Sequence, residues 1–251
     1  MLPQPHLSPD RPHPIFTGDR GVVRAPPPPD AWKAWATYGL IAANVAMFAF
    51  ELASGASMAG PDPQQMLALG ANFGPLTCNG QAWRLVTAMF LHWGVIHIGM
   101  NMVCLYQIRV VERMVSRAEF LALYFASGLV GGLASLAVHP LAVSAGASGA
   151  VFGMFGAFTG VMVVRRDRIP PEAWKSTMRS LGTFFGLNLV FGLSQRSIDL
   201  SAHLGGLATG FVGAYILAKT ARPTSRPLLR ALVVLGVGAA IAFGGIHVLP
   251  P

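Results

Sequence analysis

Seven long apolar stretches constrain this chain more than any other feature, at about residues 35–54, 87–108, 118–138, 146–164, 178–195, 201–218 and 229–249. Each approaches the roughly 20 apolar residues that a helix needs to cross a hydrocarbon core of about 30 Å. The apolar residues run nearly all round each helix instead of along one stripe, which suits lipid burial and not a soluble core. The chain is 53% hydrophobic and only 11% charged, whereas an ordinary soluble domain carries about 25% charged residues. So little polar surface cannot coat a water-soluble body, and so apolar a chain does not stay disordered throughout. Two cysteines, Cys78 and Cys104, exclude a disulfide framework. The expected class is an all-α polytopic membrane helical bundle.

The basic residues predict its orientation. Arg11, Arg20, Arg24 and Lys33 precede the first stretch, and Arg109, Arg113 and Arg117 follow the second. Arg165, Arg166, Arg168, Lys175 and Arg179 follow the fourth, and Lys219, Arg222, Arg226 and Arg230 follow the sixth. Only Arg84 and Arg196 fall on the other side. Because cytoplasmic loops collect Lys and Arg, the N-terminus is expected inside and, after seven spans, the C-terminus outside. The net charge of +8 then reflects contact with anionic lipid headgroups. No aromatic platform or recognition helix accompanies it, so no nucleic-acid partner is expected.

Residues 1–33 hold nine of the 19 prolines, with a run from Pro26 to Pro29. This composition predicts a disordered, partly extended cytoplasmic tail. It has no apolar core of a signal peptide, so the first span is the expected insertion signal. A predominance of Arg over Lys, with much Ala and Gly, points to a GC-rich bacterial genome and hence to the cytoplasmic (inner) membrane.

Polar groups inside a membrane are costly and often mark function. The second stretch holds His92, His97 and Asn101, and the fourth opens on Gly146-Ala-Ser148-Gly149. Asn188 lies in the fifth, His203 starts the sixth soon after Asp199, and Glu51 ends the first. The charge-derived topology runs spans two, four and six from outside to inside, which brings Ser148, His203, His97 and Asn101 to one depth. At 100° per residue, His97 and Asn101 project within about 40° of each other, whereas His92 points about 140° from His97. His92 is therefore expected to brace the outer loop, and Glu51 and Asn188 are read as structural.

A serine at a helix start lies beside free backbone N–H groups that can hold an oxyanion. It needs a neighbouring base, most often histidine, and His203 is the best placed. Gly206 and Gly210 follow His203 at the small-xxx-small spacing of close helix contacts. The His92–His97 spacing differs from the zinc-binding His-Glu-x-x-His pattern, so no metal is expected. Nor is Gly146-Ala-Ser148-Gly149-Ala150 the Gly-x-Ser-x-Gly nucleophile elbow.

Together these residues resemble the rhomboid family of intramembrane serine proteases. The resemblance spans residues 35–218 and rests on Trp83-Arg84, then His92, His97 and Asn101, then Gly146-Ala-Ser148-Gly149, and then Ala202-His203-Leu-Gly-Gly206 with Gly210. It implies a six-span catalytic core over residues 34–220. A linker and a seventh span then occupy residues 221–251 (a 6+1 arrangement). It implies Ser148 as nucleophile and His203 as general base and acid, a dyad needing no cofactor. Asn101, His97 and the Ser148 N–H would form the oxyanion hole, and Trp83-Arg84 would be structural in the first outer loop. Phe152 stands where many relatives carry a tyrosine under the catalytic histidine; it can stack but lacks the hydroxyl. The expected substrates are transmembrane proteins, cut in or near their membrane segments.

Two other classes compete with this reading. A transporter would use the polar cluster as a pathway, but no ionisable residue is expected at mid-depth in spans three to five and no inverted repeat is visible. A catalytically dead scaffold that binds transmembrane clients would be expected to lose the serine or the histidine, and this chain keeps both.

Overall fold

The computed structural model describes residues 34–194, 198–221 and 224–249. The Pro-rich segment 1–33, Arg196 and Arg222 lie outside the described residues. Seven principal helices carry the fold. They are α1 (Trp35–Ala53), α2 (Val95–Gln107), α3 (Arg117–Val138), α4 (Ser148–Val164), α5 (Pro171–Ser194), α6 (Leu200–Lys219) and α7 (Pro227–Gly245). Among the described residues the only β pairing is an isolated antiparallel bridge between Asn72 and Ser144.

By length and apolarity α1, α3, α6 and α7 each suffice to cross a membrane. The second apolar stretch differs from its expected form. It is two helical runs, Arg84–Phe90 and Val95–Met114, meeting at 92°. The break has a local cause: Gly94 sits at φ +90° ahead of α2, a backbone state open mainly to glycine. The Val95 N–H is then taken by the Met58 carbonyl of the first loop at 2.8 Å. Helix α4 is 17 residues long, and α5 begins seven residues earlier than the apolar stretch because Pro171-Glu172-Ala173-Trp174-Lys175 continues the helix into polar sequence. The protein is an integral, multi-pass helical membrane protein.

The centre of the bundle is α3, α4 and α6. Glycines make α4 and α6 nearly touch: a methyl group on Gly206 would overlap the Gly149 carbonyl, and one on Gly210 the Gly153 carbonyl. Close backbone approach maximises dispersion contact where lipid removes the hydrophobic drive between helices. Helix α5 docks through rings instead. Phe184 stacks on Phe155 with centroids 4.3 Å apart, and Phe184 and Phe185 lie 5.7 and 6.4 Å from Phe152.

Two carboxylates fasten the helix ends. Glu112 accepts the Ala36 and Thr37 N–H groups at 3.0 Å and the Thr37 hydroxyl at 2.9 Å, which satisfies donors that the start of α1 leaves free. Glu119 caps α3 with Ser116 and meets Arg230 of α7 at 3.2 Å. Above that ion pair α7 lies against α3, with Gly238 on Ala126 and Gly245 on Leu133.

Candidate active site

Ser148 is the first residue of α4, half-buried, and followed by N–H groups that have no acceptor within the helix. The chain reaches it through Gly146, whose φ of +142° and lack of a side chain are both needed. A Cβ there would lie 2.7 Å from His97 Cε1 and 3.1 Å from His97 Nε2. His97 is thereby laid against the turn that carries Ser148.

The tautomer of His97 follows from its other nitrogen. Nδ1 accepts the Trp93 N–H at 3.1 Å, so in the neutral ring the proton resides on Nε2, on the ring edge beside Gly146. The ring presents a donor to the site. Asn101, one turn below and buried, donates one amide hydrogen to the His97 carbonyl at 3.0 Å, which leaves its second N–H for a ligand.

His203 is the fourth residue of α6 and buried. Its ring stacks on Phe152 at 4.1 Å with 10° between planes. Among the described residues its Nδ1 meets no hydrogen-bond partner, and no carboxylate hydrogen-bonds to the ring. Gly149, next to Ser148, faces the carbonyl of Ala202, next to His203: a Cβ on Gly149 would lie 3.3 Å from that oxygen. The Ser148 and His203 segments are therefore adjacent, although no hydrogen bond joins the two side chains among the described residues. In unliganded sites such bonds are often long and tighten only with substrate. An apolar cavity of about 190 Å³ opens beside His203, lined by Phe152, Phe185, Asn188 and Leu204 among others.

Asp199 precedes α6 and caps it: Oδ1 accepts the Ala202 N–H at 3.0 Å and the Ser201 hydroxyl at 2.6 Å. Oδ2 accepts the Ser144 hydroxyl at 3.0 Å. Burial alone would raise its pKa, but these bonds outweigh burial and hold the carboxyl below its ordinary range. The Ser135 hydroxyl also favours the ionised form from nearby, without reaching hydrogen-bond geometry of its own.

The loop residues fall apart into two roles. Arg84 is buried; its Nη1 donates to the Leu67 and Ala71 carbonyls at 2.7 and 3.0 Å and its Nε to Gln81 at 2.7 Å. Trp83, 49% exposed, lies on the outside of that staple, with the guanidinium 4.8 Å from its ring.

The expected position of His92 is corrected by the structure. His92 precedes α2, in the bend, so the helical angle does not apply to it; its ring meets His97 edge-on at 5.3 Å. Its N–H donates to the buried Glu51 carboxylate at 3.1 and 3.4 Å. No sequence motif marks this bond, which spans 41 residues and ends on a backbone group.

The chain is similar to known proteins over most of its length. The Rhomboid domain family model matches residues 79–220, which is more than half of the chain. Rhomboid protease GluP of Bacillus subtilis is 34% identical over 217 residues, covering 84% of this chain and 40% of that protein. The putative rhomboid protease YdcA of the same organism is 33% identical over 149 residues, covering 59% of this chain and 72% of its own length. RHOMBOID-like protein 6, mitochondrial, of Arabidopsis thaliana is 30% identical over 220 residues, with 74% and 69% covered. The chain thus spans two fifths of GluP and about seven tenths of the other two. A family match that takes in the α2, α4 and α6 residues described above leads to one conclusion: this chain belongs to the rhomboid family.

Proposed function

We propose that the chain is an intramembrane serine endopeptidase that hydrolyses peptide bonds in or near transmembrane segments of membrane proteins. One observation carries the reading. Ser148 opens a helix whose next residue lies on the carbonyl preceding His203, and the donor nitrogen of His97 faces the same turn.

In this mechanism the Ser148 Oγ attacks the scissile carbonyl carbon while His203 takes its proton. The oxygen that becomes negative is held by the Ser148 N–H, His97 Nε2–H and Asn101. A strong donor of this kind lowers the barrier by about 3–4 kcal/mol. His203 then protonates the leaving amine as the C–N bond breaks, giving an ester on Ser148. Water, deprotonated by His203, attacks the ester carbon and releases the acid. Phe152 supports the imidazole by its face, and no acidic third member is required.

A transmembrane peptide bond is shielded by its own helix, so the substrate must unwind locally and meet water near the membrane surface. The distribution of Lys and Arg supports an outward-facing site with a cytoplasmic N-terminus, seven spans and an external C-terminus. The rhomboid resemblance implies a core over residues 34–220 followed by a linker and a seventh helix, and composition favours the inner membrane of a bacterium.

Purified protein incubated with a fluorophosphonate serine probe tests the reading. Wild type is expected to label, and Ser148→Ala and His203→Ala are expected not to, with unchanged gel-filtration profiles. Labelling of Ser148→Ala equal to wild type, or an inert but folded wild type, would sink it.

A further inference from the structure

The nucleophile and the base sit on different helices, and the interface between α4 and α6 is largely glycine against carbonyl. Such contacts bring helices close but offer no side chain that grips. At the outer end, where both helices begin, one polar side chain bridges them. Asp199 Oδ1 accepts from Ala202 N–H and Ser201, the residues just before His203. Oδ2 accepts from Ser144, four residues ahead of Ser148. Among the described residues no other hydrogen bond joins the turn 144–149 to α6.

The far side of that turn is tied by backbone alone. Ser144 N–H donates to the Asn72 carbonyl and Asn72 N–H to the Ser144 carbonyl, both at 2.9 Å, and Gly146 N–H donates to the Ala88 carbonyl at 2.8 Å. The turn is therefore fixed to the first loop by two backbone bonds, to the helical run Arg84–Phe90 by a third, and to the helix of the base by one carboxylate.

We propose that Asp199 is a positioning residue for the dyad, a clasp that sets the separation of Ser148 and His203 by holding the Ser144 turn to the start of α6. It is not a third catalytic member, since no hydrogen bond links it to the His203 ring. This inference rests on the serine-protease reading above.

The test measures the fluorophosphonate labelling of full-length protein, separating the maximal rate from the half-saturating probe concentration, beside thermal melting. Displacement of reacting groups by about 1 Å costs on the order of a hundredfold, so Asp199→Ala and Ser144→Ala are expected to lower the maximal rate roughly ten- to a hundredfold. Half-saturation should not move. The double variant should label no more slowly than Asp199→Ala, because both changes remove one bond. Asp199→Asn can still accept from Ala202 and donate to Ser144, and should keep most of the rate. Asp199→Ser separates the clasp from simple helix capping: it can cap α6 but is too short to reach Ser144, and it should label as slowly as Asp199→Ala.

Wild-type rates in both Ser144→Ala and Asp199→Ser would overturn the clasp while leaving the protease reading intact. An inert wild type would overturn both. If Asp199→Ala does not fold, those two milder variants carry the result.

Discussion

The ring of Phe152 lies flat on that of His203, centroids 4.1 Å apart and planes 10° from parallel. Phe152 is held in turn by Phe184 and Phe185 of α5, so His203, the proposed base, is backed by a ladder of rings that reaches a third helix. Aromatic stacking contributes about 0.5–1.5 kcal/mol beyond burial. Phe152→Leu is therefore expected to lower kcat up to roughly tenfold, whereas Phe152→Tyr keeps the stack and should stay near wild type. Steady-state cleavage of a transmembrane reporter substrate checks this, and an unimpaired Phe152→Leu would exclude a role for the stack.

His97 presents Nε2–H because Trp93 N–H occupies Nδ1. Replacing it with Ala should reduce kcat by about 10²–10³ with little change in KM, the signature of a donor used mainly in the transition state. A rise in KM at constant kcat would assign the residue to substrate binding instead.

The contact between α4 and α6 predicts a sharp size limit. Gly206→Ala and Gly210→Ala place a methyl group on the Gly149 and Gly153 carbonyls, and overpacking of this kind costs about 1–3 kcal/mol. Both should lower the melting temperature and the labelling rate together. Gly182→Ala, on open space in α5, is the control and should be neutral. Equal melting curves for all three would contradict the close approach.

Glu51 is buried and its carboxylate accepts the His92 N–H, at the bend from which Trp93 reaches His97. Glu51→Leu leaves that donor unpaired at a cost of about 1–3 kcal/mol, while Glu51→Gln retains an acceptor of the same length. Thermal melting should rank wild type and Gln above Leu. The reverse order would mean that the bend is held by other contacts.

The charge distribution makes a prediction independent of the chemistry. A reporter that is active only outside the cytoplasm, fused after residue 251, should be active, and the same reporter fused within the basic turn 165–168 should be silent. The opposite pattern would invert the proposed topology.

The helical class and the helices themselves were legible in the chain because hydropathy over 20 residues measures directly what lipid demands. The proximity of Gly146, Ser148, His97 and His203 was expected for a second reason: charge placement predicts which helix ends share a depth. The 92° break before Val95 was not legible, since hydropathy averaged along a stretch is blind to direction, and a single glycine φ decides whether the chain continues straight. His92 followed that error, because an angle computed on a helix has no meaning in a bend.

What the sequence by itself determined is the apolar, helical character of the chain and the polar groups its helices must share, through the cost of placing charge and unpaired backbone in hydrocarbon. Tertiary structure alone decided two of the pairings: Glu51 with the His92 N–H and Asp199 with Ser144. Hydrogen-bond reach is about 3 Å, far below the spacing that helix order fixes, so these pairings exist only once the elements that carry them have packed together.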